Sequence, residues 1–233
     1  MSKVTLEGVK KSYCDGSGDL LVIDSLSYSF RAGEACAIVG RSGIGKSTLL
    51  HLVGGLDRPA HGRIMIDQTD ITNLSDHELT YFRGCNIGFI FQFHHLLPEF
   101  SAVENVAMPL IIGGMSRNEA LSRAKEVLER VELGHRLQAV PGRLSGGEQQ
   151  RVAIARSVVT SPKVILADEP TGNLDAKTAE IVRNMLVGIQ RENGTTLIVV
   201  THSSEFASNM DYIVEMEHGG KLVEIGQNRC EVV

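Results

Sequence analysis

An α/β fold on a largely parallel sheet, with an antiparallel β-subdomain at the N-terminus and a helical subdomain inserted into the core, is what this sequence predicts. Three observations carry that expectation. Predominantly apolar runs at residues 35–39, 163–167, 195–200 and 212–216 read as strands buried on both faces, as parallel sheets require. Segments of helical periodicity stand between them, in the manner of crossover connections. A glycine-rich loop joins the first run to a helix, so strand, loop and helix follow one another directly.

Each element has its own signal. Val4 and Leu6, then residues 20–30, alternate apolar with polar side chains as half-buried strands do, and Asp15-Gly16-Ser17-Gly18 reads as their turn. Residues 46–53 form a helix that Gly54 and Gly55 end, and residues 87–91 form a further strand. From about Phe93 to Leu144 the pattern turns helical. Ser116 and Glu119 make a capping box there, and Ala120, Leu121, Ala124, Val127, Leu128 and Val131 recur on one helix face. Ser145 and Glu148 make a second box, so a helix runs from Gly146 to about Thr160, and a long helix spans about residues 176–191. Residues 1–233 read as one domain, its core at about 1–92 and 161–233 and its helical subdomain at about 93–160.

Composition narrows the class. The chain is 42% hydrophobic and 22% charged, ordinary proportions for a globular protein. Its 24 glycines exceed the usual share of about 7% and cluster at turns and loops, with no low-complexity tract. A net charge of −5 gives no footprint for nucleic acid, and Lys10-Lys11 is too short a basic run to read as more than a solvated face. Cys14, Cys36, Cys85 and Cys230 form no Cys-x-x-Cys pair, so reduced thiols in a cytosolic compartment are expected; the histidines show no metal-ligand spacing. No signal-peptide stretch opens the sequence. The longest apolar run, residues 106–112, contains Pro109 and falls far short of the ~20 residues that span a bilayer, so any membrane role calls for a partner.

The chemistry begins at Gly40-Arg41-Ser42-Gly43-Ile44-Gly45-Lys46-Ser47. Glycines at this spacing let consecutive N–H groups curl around phosphates, and the helix that follows adds the positive end of its dipole. Lys46 is expected to bridge β- and γ-phosphate oxygens and the Ser47 hydroxyl to ligate Mg²⁺, with Thr48 beside them in the binding set. Asp168 closes an apolar strand, which puts a carboxylate at the sheet edge where α/β folds bind ligands; Glu169 follows it. Ser145-Gly146-Gly147 offers a hydroxyl, bare N–H groups and a helix N-terminus, a second anion cradle in a chain that already has one. A plain cap accounts for Ser145 and Glu148 but not for two successive glycines, which weaken a helix.

The phosphate loop, Gln92, the run from Leu144 through Ser145-Gly146-Gly147 to Glu148, the Asp168-Glu169 strand end, Asn173-Leu174-Asp175 and His202 stand in one order along the chain. That order resembles the ATP-binding cassette (ABC) superfamily over nearly the whole sequence. The resemblance implies ATP hydrolysis with ATP and Mg²⁺, the metal set being Ser47, Gln92 and Asp168, the last through water. It implies that Glu169 is the general base, that Gln92 touches the attacking water and that His202 contacts the γ-phosphate, so Lys46, Gln92, Glu169 and His202 form the catalytic set. Tyr13 falls where an aromatic ring stacks on adenine. Residues 145–147 would serve the nucleotide of the opposite subunit in an ATP-bound homodimer, and Asp175 would couple the two sites. In one departure, Ser203 stands after His202 where many relatives carry an acid; Ser203 or Ser204 is expected to cap the next helix instead.

Residues 91–110, with Phe91-Gln92-Phe93-His94-His95-Leu96-Leu97-Pro98-Glu99-Phe100 and then Glu104-Asn105-Val106 and Met108-Pro109-Leu110, resemble the ATPase subunits of bacterial lipoprotein-releasing systems. ATPases of macrolide or peptide exporters and of cell-division complexes share fewer of these elements and form the alternative. The resemblance implies integral membrane permease partners docked after Gln92, and a peripheral position on the cytoplasmic face of the inner membrane. A cassette acting on DNA or ribosomes would need a basic surface, a coiled-coil insertion or tandem cassettes, and a silent regulator would lack Glu169 or His202; neither description fits.

Overall fold

The computed structural model describes residues 2–14 and 19–227, so the turn expected at residues 15–18 and Cys230 lie outside the described residues. The strands are β1 (Val4–Cys14), β2 (Asp19–Phe30), β3 (Ala35–Val39), β4 (His61–Ile66), β5 (Thr69–Asp70), β6 (Ile87–Ile90), β7 (Val164–Asp168), β8 (Thr196–Val200), β9 (Tyr212–Met216) and β10 (Leu222–Gln227). The helices are α1 (Lys46–Val53), α2 (Asp76–Asn86), α3 (Ala102–Ile112), α4 (Arg117–Arg130), α5 (Gly146–Val158), α6 (Ala176–Asn193) and α7 (Ser204–Ala207).

Two sheets result. An antiparallel one has the order β2-β1-β4-β5. The other has the order β10-β9-β3-β8-β7-β6, in which β9, β3, β8, β7 and β6 run parallel and β10 closes one edge antiparallel. The period of two along the parallel strands divides the core. Cys36, Ile38, Val164, Leu166, Ile198 and Val200 pack toward the antiparallel sheet and α1, whereas Ala35, Ala37, Ile165, Ala167, Leu197 and Val199 pack toward the helices. Each fully buried Val, Leu or Ile side chain among them contributes about 1.5–3 kcal/mol through loss of water contact.

Register then places the site. Ile38 pairs with Val200, Asp168 with Val200 and Ile90 with Ala167, so the loops after β3, β6, β7 and β8 emerge at the same edge of the sheet. Helical structure after β6 begins only at Ala102, later than the pattern from Phe93 suggests. Side chains from elsewhere hold residues 94–101 as a loop. Arg156 donates to the carbonyls of His94 and His95, and the buried Asn105 amide donates to those of Leu97, Phe100 and Ser101. From Ala102 to Val158 the regular elements are all helical.

Candidate functional site

The glycine loop turns because three of its residues take positive φ: Gly40 at 145°, Gly43 at 76° and Gly45 at 108°. Gly45 is the N-cap of α1 and no side chain caps that helix. A Cβ on Gly45 would lie 2.6 Å from Val22 Cγ1, so the loop also needs glycine there for close approach. Val22 stands at a bulge: Lys11 pairs with Ile23 and the next residue, Ser12, with Leu21, leaving Val22 as the extra residue on β2.

A cavity of about 640 Å³ opens over this loop. Ser42, Gly43, Gly45, Lys46, Ser47 and Thr48 line one side; Gln92, Asp168, Glu169 and His202 line another; Tyr13 stands on its wall as well. Gly40, Arg41 and Ile44 complete the loop without lining the cavity, and Arg41 is exposed. Lys46 is 6% exposed and its Nζ donates to the carbonyls of Gly40 and Arg41, both at 2.8 Å. Burial pushes its pKa down, partly offset by the nearby Glu169 and Asp168 carboxylates.

Glu169 sits at φ 45°, a left-handed conformation that costs a non-glycine residue strain and often marks functional positions. Its N–H donates to Val200 O at 2.9 Å, and its Oε2 accepts the His202 N–H at 3.2 Å. Oε1 lies 3.4 Å from His202 Nε2 but without hydrogen-bond geometry, so this buried oxygen accepts no hydrogen bond among the described residues. Gln92 and Asn173 bond reciprocally, Nε2 to Oδ1 at 3.4 Å and Asn173 Nδ2 to the Gln92 carbonyl at 3.1 Å. Ser203 supplies the expected cap, its Oγ accepting the Phe206 N–H at 3.1 Å.

Residues 145–147 lie elsewhere. Ser145 and Gly146 are exposed and none of the three lines the cavity. Ser145 Oγ accepts the Glu148 N–H at 3.2 Å and Glu148 Oε2 accepts the Ser145 N–H at 2.8 Å, the reciprocal box that the spacing predicts. Gly147 has its own reason: any Cβ there would collide with Thr178 Cγ2. Asp175 also stays off the cavity wall and caps α6, accepting from the Thr178 N–H at 3.1 Å and hydroxyl at 2.6 Å; those bonds hold its carboxyl below the usual range. The second glycine pair and the start of α6 thus form one surface. Sequence reasoning missed Val22, Gly172 and Val200 on the cavity wall. A bulge leaves no local signal, but Gly172 sits beside the Asn173 motif and could have been read with it.

Loop, sheet order and strand-edge carboxylates are those of a nucleoside triphosphatase of the phosphate-loop class. Residues 23–172 match the ABC transporter family. The lipoprotein-releasing system ATP-binding protein LolD of Geobacter metallireducens is 51% identical over 209 residues, 90% of this chain and 93% of that protein. The protein of the same description from Nitratidesulfovibrio vulgaris is 52% identical over 215 residues, 92% of each. Among solved structures, the dimeric post-hydrolysis state of the ATP-binding cassette MJ0796 bound to ADP and Pi matches with a TM-score of 0.88 and 39% identity, covering 97% of this chain and 99% of that one. The chain belongs to the ABC transporter family and is an ATPase of that family. Among the described residues no helix is long and apolar enough to cross a membrane.

Proposed function

We propose that this chain is the ATP-hydrolysing subunit of a complex that releases lipoproteins from the bacterial inner membrane, acting as an ATP-bound homodimer beneath integral membrane permease subunits on the cytoplasmic face. The relatives named for lipoprotein release, about half identical over nine-tenths of the chain, support the cargo. The observation that carries the chemistry is the buried Oε1 of Glu169, which accepts no hydrogen bond among the described residues, on the wall of the cavity that Lys46 also lines.

In this reading the loop N–H groups and Lys46 hold the triphosphate, and Tyr13 stacks on the base. Water attacks the γ-phosphorus in line with the leaving ADP oxygen; Glu169 Oε1 orients that water and receives its proton, and His202 meets the developing phosphate charge. The Ser47 hydroxyl and the Gln92 amide oxygen would hold Mg²⁺ directly, and the Asp168 carboxylate would hold it through water. Two neutral oxygen donors with a single carboxylate reaching the ion through water suit an ion that keeps several waters and takes the rest of its shell from phosphates. When bound it supplies charge neutralisation to the phosphates.

The segment after Gln92 supports partner docking. A cleft of about 400 Å³, lined by Phe89, Phe91, His95, Pro109 and Arg156 among others, lies between β6 and the helices. In the segment after Gln92, Phe93, Leu97 and Phe100 are exposed at 67%, 40% and 36%, whereas Leu96 packs against the core. Such a patch is what a permease contact needs. Leu97→Asp and Phe100→Asp should end co-purification with membranes and lipoprotein release while ATP binding by the isolated subunit persists. The deciding measurement is depletion of the protein in its native cell. Lipoproteins should accumulate in the inner membrane; if they reach the outer membrane normally while drug export or division fails, the cargo assignment is wrong.

A further inference from the structure

We infer that Asp57 and Lys11 are positioning residues for the nucleobase of ATP, clamping the Tyr13 ring in one orientation on the cavity wall. This inference rests on the reading of Tyr13 as the stacking platform. Lys11 and Tyr13 are two residues apart on β1, hence on the same face of the strand. Lys11 is no solvated charge: its side chain is 12% exposed, and its Nζ donates to Asp57 Oδ1 at 2.7 Å and to the Arg58 carbonyl at 3.0 Å. The same ammonium lies 4.8 Å from the Tyr13 ring centroid, within reach of a cation–π contact. The Tyr13 hydroxyl donates to the other carboxylate oxygen, Asp57 Oδ2, at 2.9 Å. Arg58 N–H completes the shell of Asp57 at 2.7 Å.

One carboxylate thus grips both the hydroxyl end of the ring and the cation over one face of it. That face is taken, and the 39%-exposed ring offers its remaining surface to the cavity. Thr48, in the first turn of α1, shares the cavity wall with Tyr13, and Asp57 follows the end of that helix, so the base platform adjoins the helix that carries Lys46. Asp57 titrates below the usual carboxylate range: partial burial pushes it up, and the bonds from Lys11, Tyr13 and Arg58 outweigh that push. Tyr13, raised by burial and by Asp57, remains a donor at working pH. A ring held before the ligand arrives loses less freedom on binding, which is how preorganisation gains affinity.

The test compares ATP with inorganic tripolyphosphate, which has phosphates but no base, in calorimetric titrations of the full chain. Tyr13→Ala should weaken ATP roughly 10-fold or more, and Asp57→Asn and Lys11→Met each about 5-fold, with tripolyphosphate affinity unchanged in all three. Adding Asp57→Asn to Tyr13→Phe, which lacks the hydroxyl, should cost no more than about 2-fold. If Tyr13→Ala leaves ATP affinity intact, the stacking reading fails and takes the clamp with it. If Tyr13→Ala weakens ATP but Asp57→Asn and Lys11→Met do not, stacking stands and the clamp falls. Equal losses for ATP and tripolyphosphate in Asp57→Asn would mean that Asp57 supports the fold of the loop and not the base, which also overturns the inference.

Discussion

Helices α1 and α5 both start at a glycine-rich run, yet their first turns are finished in opposite ways. At α1 the N-cap is Gly45 in a left-handed conformation, no side chain caps the helix, and the loop before it lines the cavity. At α5 Ser145 and Glu148 satisfy each other in a capping box, and the glycines that follow pack against the start of α6 at the surface. An uncapped helix end keeps unmet N–H donors that favour an anion, so α1 is built to receive phosphate within one chain. A capped end is stable without a ligand. The donors of Gly146 and Gly147 then remain for an anion brought by a second copy, in keeping with the proposed homodimer.

The contrast breaks first at α1. Among the described residues lining the cavity, Lys46 carries the fixed positive charge, so Lys46→Ala should reduce ATP affinity by roughly 10²-fold or more, measured by calorimetry on a single chain. Glu169→Gln should do the reverse, retaining ATP while cutting turnover on the order of 10²-fold. Wild-type turnover in that variant would remove Glu169 as the base. At α5 the expectation is different in kind. In the Glu169→Gln background Ser145→Arg should leave one-chain ATP binding intact and abolish ATP-driven dimerisation, read by sizing with and without ATP. A dimer that survives the arginine would show that residues 145–147 do not face the partner's nucleotide.

A finer variant separates packing from anion binding. Gly147→Ala drives a methyl into Thr178 Cγ2, with a cost of about 1–3 kcal/mol typical of overpacking. Thr178→Ser removes that methyl, so the double variant should recover most of the loss in urea unfolding. No recovery would mean that Gly147 is required by its backbone and not by its neighbour.

How far this contrast could be read in advance depends on what each end advertises. The phosphate loop, the Ser145 box and the run of strands 35–39, 87–90, 164–168 and 196–200 leave strong local patterns, and the structure follows them to within a residue or two. Helix α2 went unread although Ser75-x-x-Glu78 carries the same box, because Leu79 is its one buried residue and no apolar stripe follows. Strand β4 is exposed along its first half, which hides the alternation. The Lys11–Asp57–Tyr13 clamp joins β1 to the residues after α1 across 46 positions, a distance over which sequence pattern carries no pairing information. Proximity of Gly147 to Thr178 is equally silent until α5 and α6 are packed together.

The smallest expected effect is a pH dependence confined to α5. The N–H of Ser145 bonding the carboxylate of Glu148 is the main cause that holds its pKa below the ordinary glutamate value, opposed by burial and helped by Arg136 Nε at 2.9 Å. A carboxylate with a depressed folded pKa stabilises fully above its unfolded value, near 4.3, and loses that contribution as pH falls through the folded value. Helix α1 has no acid in its first turn and so has no counterpart. Glu148→Gln keeps an acceptor of the same shape and removes only the charge, so it should cost about 0.3–1 kcal/mol at pH 7. That gap should close as the pH falls through the folded pKa of Glu148, because the protonated glutamate and the glutamine then make equivalent boxes. Glu78 and Glu104 also titrate low in their own capping boxes, but both variants retain them and their contribution cancels. Urea unfolding of the two proteins at pH 7 and at pH 3.5 measures the gap directly, and an equal gap at both would show that the Glu148 charge contributes nothing to the α5 start.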